Sequence, residues 1–175
     1  MIKYKLTTQE MMTYGGFQWE IGKTVKTDGK EKELCNCHWL HYYHDPLLAI
    51  FFNPIHADIK NPLLWKVEAT RKNIDDNGIK GGCTRMKLIK QIPVPEVTII
   101  NRVAFGIYCS LAVCDNVQFG NWAKAWLSGE DRAAAHAAIT ASAAAHIASA
   151  AAHAAAYAEK PLDLISIAKK AMLIK

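Results

Sequence analysis

Apolar and polar residues follow two different rhythms along this chain. In the first half they alternate. "IKYKL" (residues 2–6) puts Ile2, Tyr4 and Leu6 on one side and Lys3 and Lys5 on the other, which predicts a half-buried strand. "FQWEI" repeats the pattern, placing Phe17, Trp19 and Ile21 on one face and Gln18 and Glu20 on the other. "LLWKVEAT" (63–70) and "CTRMKLIKQI" (83–92) read as two further strands with the turn signal "DDNG" between them. One apolar run breaks the alternation. "DPLLAIFFNP" offers Asp45 as a helix N-cap and Pro46 at the first helical position, so a short buried helix is expected, stopping before Pro54. The pair of prolines in "PVP" (93–95) is a stiff joint.

From residue 96 the spacing is helical. One helix is expected over 97–114 and a second over about 117–127, with Phe119, Trp122, Ala123 and Trp126 on its apolar face. Ser128 then suits the N-cap of a third helix. Residues 133–158 are mostly alanine, the strongest helix former. A helix from about 129 to 159 would be roughly 45 Å long. Within it Arg132, His136, Ile139, Ala143, His146, Ala150, His153 and Tyr157 alternate spacings of four and three, a heptad seam. The alanine face behind it allows close helix packing, either in a hairpin within the chain or between copies. Pro161 opens a last helix with Leu162, Ile165, Ala168 and Met172 in a stripe. The expected fold is therefore α+β: a small mixed or antiparallel β domain with a short helix over 1–95, then an all-helical half over 96–175 that includes a long Ala-rich helix and serves assembly, with a homo-oligomer expected.

Composition adds limits. The chain has 175 residues, is 51% hydrophobic and 21% charged, and carries a formal net charge of +5, ordinary for a globular protein. The longest apolar run, "VAFGIYCSLAVC", is too short to span a bilayer, and no signal-peptide pattern opens the chain. No membrane partner is expected. The five cysteines show no paired framework, which suits reduced thiols in a cytoplasmic setting. Positive residues are scattered. "TRMKLIK" alternates Arg85, Lys87 and Lys90 with apolar positions, a solvated strand face rather than a nucleic-acid signature. The charge suits a small anionic ligand such as a nucleotide.

The densest chemistry lies in "LCNCHWLHYYHD", residues 34–45. Cys35, Cys37, His38, His41 and His44 are all metal-ligand types, but they lack the two separated pairs that zinc sites favour, and no metal or other cofactor is expected. A thiolate nucleophile is a further reading, without a third orienting group. The aromatic reading is stronger. Trp19, Trp39, Tyr42 and Tyr43 offer flat faces for a base, and the histidines offer donors to phosphate. Against it stands the plain alternative that alternate residues are simply core.

The N-terminal half resembles a domain family found mostly in phage and prophage proteins. The residues that carry the likeness are "GGFQWEIGKTVKTDGKEKELC", "WLHYYHDPLLAIFFNP", "LLWKVEAT" and "CTRMKLIKQI". The family pattern is G-F-Q-aromatic-E-x-G-K, a turn, L-C, then G-F-H-aromatic, N/D-P and a short helix. Here Trp39-Leu40 stands where Gly-Phe is usual, and His41 takes the histidine position. Alanine-rich tails occur in relatives. The resemblance implies no settled activity. Its short strands and helix are loosely similar to the NAD-binding part of ADP-ribosyltransferase-like folds, for which Glu68 would be the acid to test.

Three functions are therefore carried forward. The first is a phage-type protein that binds, and sequesters in the host cytoplasm, a nucleotide immune signal, ADP-ribose-derived or cyclic, without catalytic residues. Its ligand-binding residues are expected to be Trp19, His41, Tyr43 and Arg85. The alternatives are an ADP-ribosyltransferase-like or nucleotide-hydrolysing enzyme, and an interaction protein assembled through the Ala-rich helix.

Overall fold

A computed structural model describes residues 1–113, 115–130, 132 and 162–175. Two compact units divide the chain, Met1–Glu96 and Val97–Lys175.

The first unit is built on one long antiparallel hairpin. Strands β6 (Leu63–Asp76) and β7 (Lys80–Ile92) pair along nearly their whole length. Three residues, 77–79, connect the strands; Asn77 (φ 46°) and Gly78 (φ 80°) are both left-handed and form the centre of a turn in which Ile79 N donates to Asp76 O at 2.9 Å. The hairpin is longer than its hydrophobic alternation suggests. The polar stretch "RKNIDD" continues β6 beyond Thr70, because the ladder to Cys83, Gly82 and Gly81 supplies its backbone partners. Two register shifts interrupt the ladder, one between Lys66 and Val67 and one between Thr70 and Asn73.

Every other strand of the main sheet joins this hairpin. β1 (Ile2–Thr7) runs antiparallel along β6. β4 (Thr24–Lys26) and β5 (Leu40–Tyr42) lie on the other side, both antiparallel to β7. The sheet then closes on itself. Tyr4 and Tyr43 form an antiparallel bridge, with Tyr4 N donating to Tyr43 O at 3.0 Å and Tyr43 N donating to Tyr4 O at 2.7 Å. β1 thus has a partner on both edges, which removes an open strand edge. Inside the curl lie Trp19, Leu40, Tyr42, Trp65, Val67, Ala69, Cys83, Met86 and Leu88.

The "GGFQWEI" segment departs from the expected strand. Phe17–Gln18 pairs as β3 against β2 (Met12–Thr13), and Ile21 makes an isolated parallel bridge to Leu88. The chain turns left-handed at Gly16 and again at Gly22, which is incompatible with one straight strand. Phe17 and Ile21 are exposed while Trp19 between them is buried. Trp19 is held by its indole N–H, which donates to Thr13 Oγ1 at 2.9 Å.

Helix α1 (Pro46–His56) starts as expected, with the Asp45 carboxylate accepting from Leu47 N at 2.8 Å. It does not stop before Pro54 but runs through it to His56. A proline near a helix end removes one hydrogen bond, and here Asn53 secures the terminus. Asn53 O accepts from Ala57 N and Asp58 N, and the Asn53 side chain is bonded to both backbone groups of Ile59. Leu48, Ala49, Ile50, Phe51 and Phe52 are buried.

The second unit contains three described helices. α2 (Ile99–Leu111) opens with a reciprocal Thr98–Asn101 capping box. The Asn101 amide also donates to Ala171 O and Ile174 O, tying α2 to the end of the last helix. α3 (Val117–Ser128) ends at left-handed Gly129, so Ser128 closes this helix rather than opening another. α4 (Leu164–Ala171) is capped by Asp163 and buries Leu164, Ala168 and Ala171. Of the expected stripe at Leu162, Ile165, Ala168 and Met172, only Ala168 is fully buried; Leu162 precedes the Asp163 cap and Met172 is the C-cap. No described helix is long and apolar enough to cross a membrane. Apart from Arg132, the heptad seam and the Ala-rich helix lie outside the described residues.

Gly81 and Gly82 decide how closely β5 approaches β7. They pair with Tyr42 and His41, and a Cβ at Gly81 would sit 2.5 Å from Tyr42 Cζ. A Cβ at Gly82 would sit 2.5 Å from a Leu34 methyl and 3.0 Å from Trp39 Cβ. Gly81→Ala and Gly82→Ala are each expected to lower stability by roughly 1–3 kcal/mol through overpacking. Urea unfolding measures this, and wild-type midpoints for both variants would disprove the close packing.

Candidate functional site

The tyrosine bridge that closes the sheet also forms one wall of a small cavity. Its volume is about 120 Å³, and Lys5, Tyr14, His41, Tyr43, His56 and Lys80 supply its polar lining. β1 contributes Lys5, β5 contributes His41, the end of α1 contributes His56, and the start of β7 contributes Lys80. Thr13, Tyr14, Ala57 and Ile59 line both this cavity and a wider open cleft of about 430 Å³ that also touches Gln9, Glu10, Lys60 and Asn61. Tyr14 is fully exposed at the junction.

Lys5 is the unusual member. Its side chain is buried, and its ammonium donates to the His41 carbonyl at 2.9 Å and lies 4.7 Å over the Trp19 ring. No carboxylate lies within 4 Å of it among the described residues. Burial pushes its pKa down to about 8, with the nearby Cys83 sulfur opposing. A buried ammonium with only a carbonyl and a ring for company is costly.

His41 donates Nε2–H to Leu34 O at 2.6 Å, which fixes its tautomer when neutral. Burial holds its pKa below the usual value, and the charges of Lys5 and Lys80 push the same way. Tyr43 is buried, which keeps its phenol protonated far above neutral pH, and its hydroxyl meets His56 Nδ1 at 3.2 Å. The His56 ring lies nearly parallel to both the Tyr43 and Phe52 rings. Lys80 Nζ donates to Cys35 Sγ at 3.1 Å. The cavity is therefore lined by two lysines, two histidines and the tyrosines at 14, 42 and 43, a set suited to a phosphate or carboxylate.

Of the four expected ligand-binding residues, the structure brings His41 and Tyr43 together here. Trp19 is a core residue beneath Lys5, with its indole N–H already committed. Arg85 lies elsewhere, in a groove on β7 with Lys26, Thr27, Asp28, Arg71, Lys72 and Thr84. Lys5 was hidden because it occupies the polar phase of "IKYKL". His56 was hidden behind Pro54.

The Cys- and His-rich stretch does not converge. His38 meets Asp28 at 2.6 Å. His44 Nδ1 accepts from Lys3 Nζ at 2.6 Å, and its Nε2 lies 2.5 Å from Asp75 Oδ2 without the alignment of a hydrogen bond. Burial, followed by the Lys3 charge, lowers the His44 pKa. Among the described residues, no group of three or more His, Cys, Asp or Glu side chains could hold a metal ion. Glu68 does not line the cavity and pairs with Lys87 at 3.4 Å.

Residues 1–100 match the family described as domain of unknown function DUF7666. The chain belongs to this family. No curated protein and no solved structure matches it. The match spans the whole first unit, so both the cavity and the β7 groove belong to the DUF7666 domain.

The buried ammonium gives the DUF7666 domain a defined pH response. The unfolded chain keeps the Lys5 proton up to about pH 10.5, the folded domain only to about 8. Between these values the unfolded state binds more protons, so this group makes stability rise with pH. Lys5→Met is expected to be more stable than wild type at pH 7, by roughly 1–3 kcal/mol. That advantage should shrink as pH rises from 8 toward 10.5. Urea titrations across this range measure it. Equal stability at pH 7, or a gap that widens in alkali, would contradict the burial of a charged Lys5.

Proposed function

We propose that the DUF7666 domain captures a small anionic molecule, placing its charged group in the Lys5–His41–Tyr43–His56 cavity. The observation that carries this reading is Lys5, a buried cation whose missing counter-charge an anion would supply. A cavity of about 120 Å³ suits a phosphoryl or carboxylate group, and the adjoining cleft of about 430 Å³ suits the rest of the ligand. Together they reach the size of small-molecule pockets, about 300–1,000 Å³. A nucleotide is the proposed class: its phosphate inside, its base outside against the exposed Tyr14 ring.

The phage resemblance supports the finer reading that such capture sequesters a nucleotide immune signal of the host in its cytoplasm. The alanine face opposite the heptad seam of residues 132–157 supports assembly of several copies through the helical half. Capture is preferred over turnover because Glu68, the acid an ADP-ribosyltransferase-like reaction would call on, is engaged with Lys87 away from the cavity lining.

The test is native mass spectrometry after incubation with inorganic phosphate, mononucleotides, cyclic nucleotides and ADP-ribose. One of these should be recovered at unchanged mass, and Lys5→Met and His41→Ala should each weaken its binding about tenfold or more. Affinity should also fall as pH rises through about 8, where Lys5 loses its proton. A ligand of altered mass would assign an enzyme instead. Capture that both variants leave intact would remove the ligand from this cavity.

A further inference from the structure

The groove that contains Arg85 is a separate feature with its own chemistry. It is open, about 530 Å³ in volume, and lined by Lys26, Thr27, Asp28, Arg71, Lys72, Thr84 and Arg85. β4, β7 and β6 run side by side here. Lys26 is the cross-strand partner of Arg85, and Arg85 is the partner of Thr70. Directly paired residues place their side chains on one face, about 5 Å apart. Two cations are therefore neighbours across β4 and β7, and Arg71 and Lys72 follow Thr70 in the β6 bulge.

Three features of this place cost the fold something. Like charges directly opposite one another in a sheet are destabilising. Arg71 has a φ of 73°, a left-handed conformation that a side chain of its size disfavours. The Thr27 hydroxyl is buried without a hydrogen-bond partner. None of these costs is relieved nearby. Among the described residues, Lys26, Arg71, Lys72 and Arg85 have no carboxylate within 4 Å. Asp28, the one acid of the lining, is engaged by His38 and Lys30. The next level of the same face shows the ordinary arrangement: Lys87 stands between Thr24 and Glu68 and is neutralised by Glu68 at 3.4 Å. At the Arg85 level Thr70 takes the place of that acid.

We infer that this groove is a second ligand site of the domain, built for a run of contiguous phosphoryl groups such as a di- or triphosphate. A single phosphate would need fewer cations than the groove concentrates. Its lining holds no aromatic ring on which a base could stack, which favours a phosphate chain over single-stranded nucleic acid. Arg85 and Arg71 supply forked donors, and Lys26 and Lys72 supply point charges.

Calorimetry at low salt with inorganic tripolyphosphate tests the inference. Tripolyphosphate should bind more tightly than monophosphate, and Lys26→Gln and Arg85→Gln should each weaken it about tenfold. Lys5→Met, in the separate cavity, should leave this binding unchanged. Without ligand, the melting temperature of Lys26→Gln should match or exceed wild type, because a repulsion has been removed. Arg71→Gly should also weaken binding while raising stability. Absence of tripolyphosphate binding, binding that Lys26→Gln and Arg85→Gln leave unaltered, or equal affinity for monophosphate would overturn the site. Tighter binding of an oligonucleotide of matching charge would overturn it too, and would make the face a nucleic-acid surface.

Discussion

The β6–β7 ladder is the constraint on which the first unit depends, since β1 pairs with β6 while β4 and β5 both pair with β7. Because two short strands share one side of β7, each has only a few backbone bonds of its own. Their positions rest on side-chain fit to the hairpin. That explains the paired glycines at 81 and 82, which let β5 settle close enough for Tyr42 to fill the core and for Tyr43 to bridge to Tyr4. The bridge closes the sheet and brings β1, with Lys5, beside β5, with His41. The cavity is thus a product of closure, completed by Tyr14 and by Ala57 and Ile59 beyond α1.

Closure has an electrostatic consequence. Along an open strand Lys5 would reach water from its polar face, as the alternation of "IKYKL" implies. Covered by β5 and the Trp19 ring, it loses that hydration and receives one carbonyl in exchange. The β4–β7–β6 groove shows the same physics in an exposed setting, where clustered cations lack the acids that neutralise Lys87 one level away. In both places the domain carries positive charge that its own fold does not use.

Much of this architecture was legible in the residue pattern. "LLWKVEAT" and "CTRMKLIKQI" alternate because each has one face on the core, and Asp45-Pro46 announces its helix through cap chemistry; "IKYKL" is a strand as expected, but it exposes Ile2 and buries Lys5. Asn-Gly fixes the hairpin turn. What was hidden depends on closure or on compensation. "RKNIDD" is polar and becomes strand only because its partner strand is already there. Phe17 and Ile21 mimic a strand face, but left-handed glycines on either side of the segment leave Trp19 alone inside. α1 passes Pro54 because the Asn53 side chain holds the end of the helix. Half of the expected binding set, His41 and Tyr43, falls in the cavity, since both lie on or beside β5. Lys5 could not be singled out, because burial of a polar-phase residue follows from the Tyr4–Tyr43 bridge and not from its own neighbours in sequence.

The charge state of Lys5 links fold to function most directly. Its pKa can be followed by NMR of the lysine side-chain carbons and amines during a pH titration, first alone and then with inorganic phosphate present. A buried cation awaiting an anion should titrate near 8, well below the other lysines, and phosphate should move that value upward. Titration near the ordinary lysine value of 10.5, or a low value that no anion changes, would contradict the proposal that the cavity is an anion site.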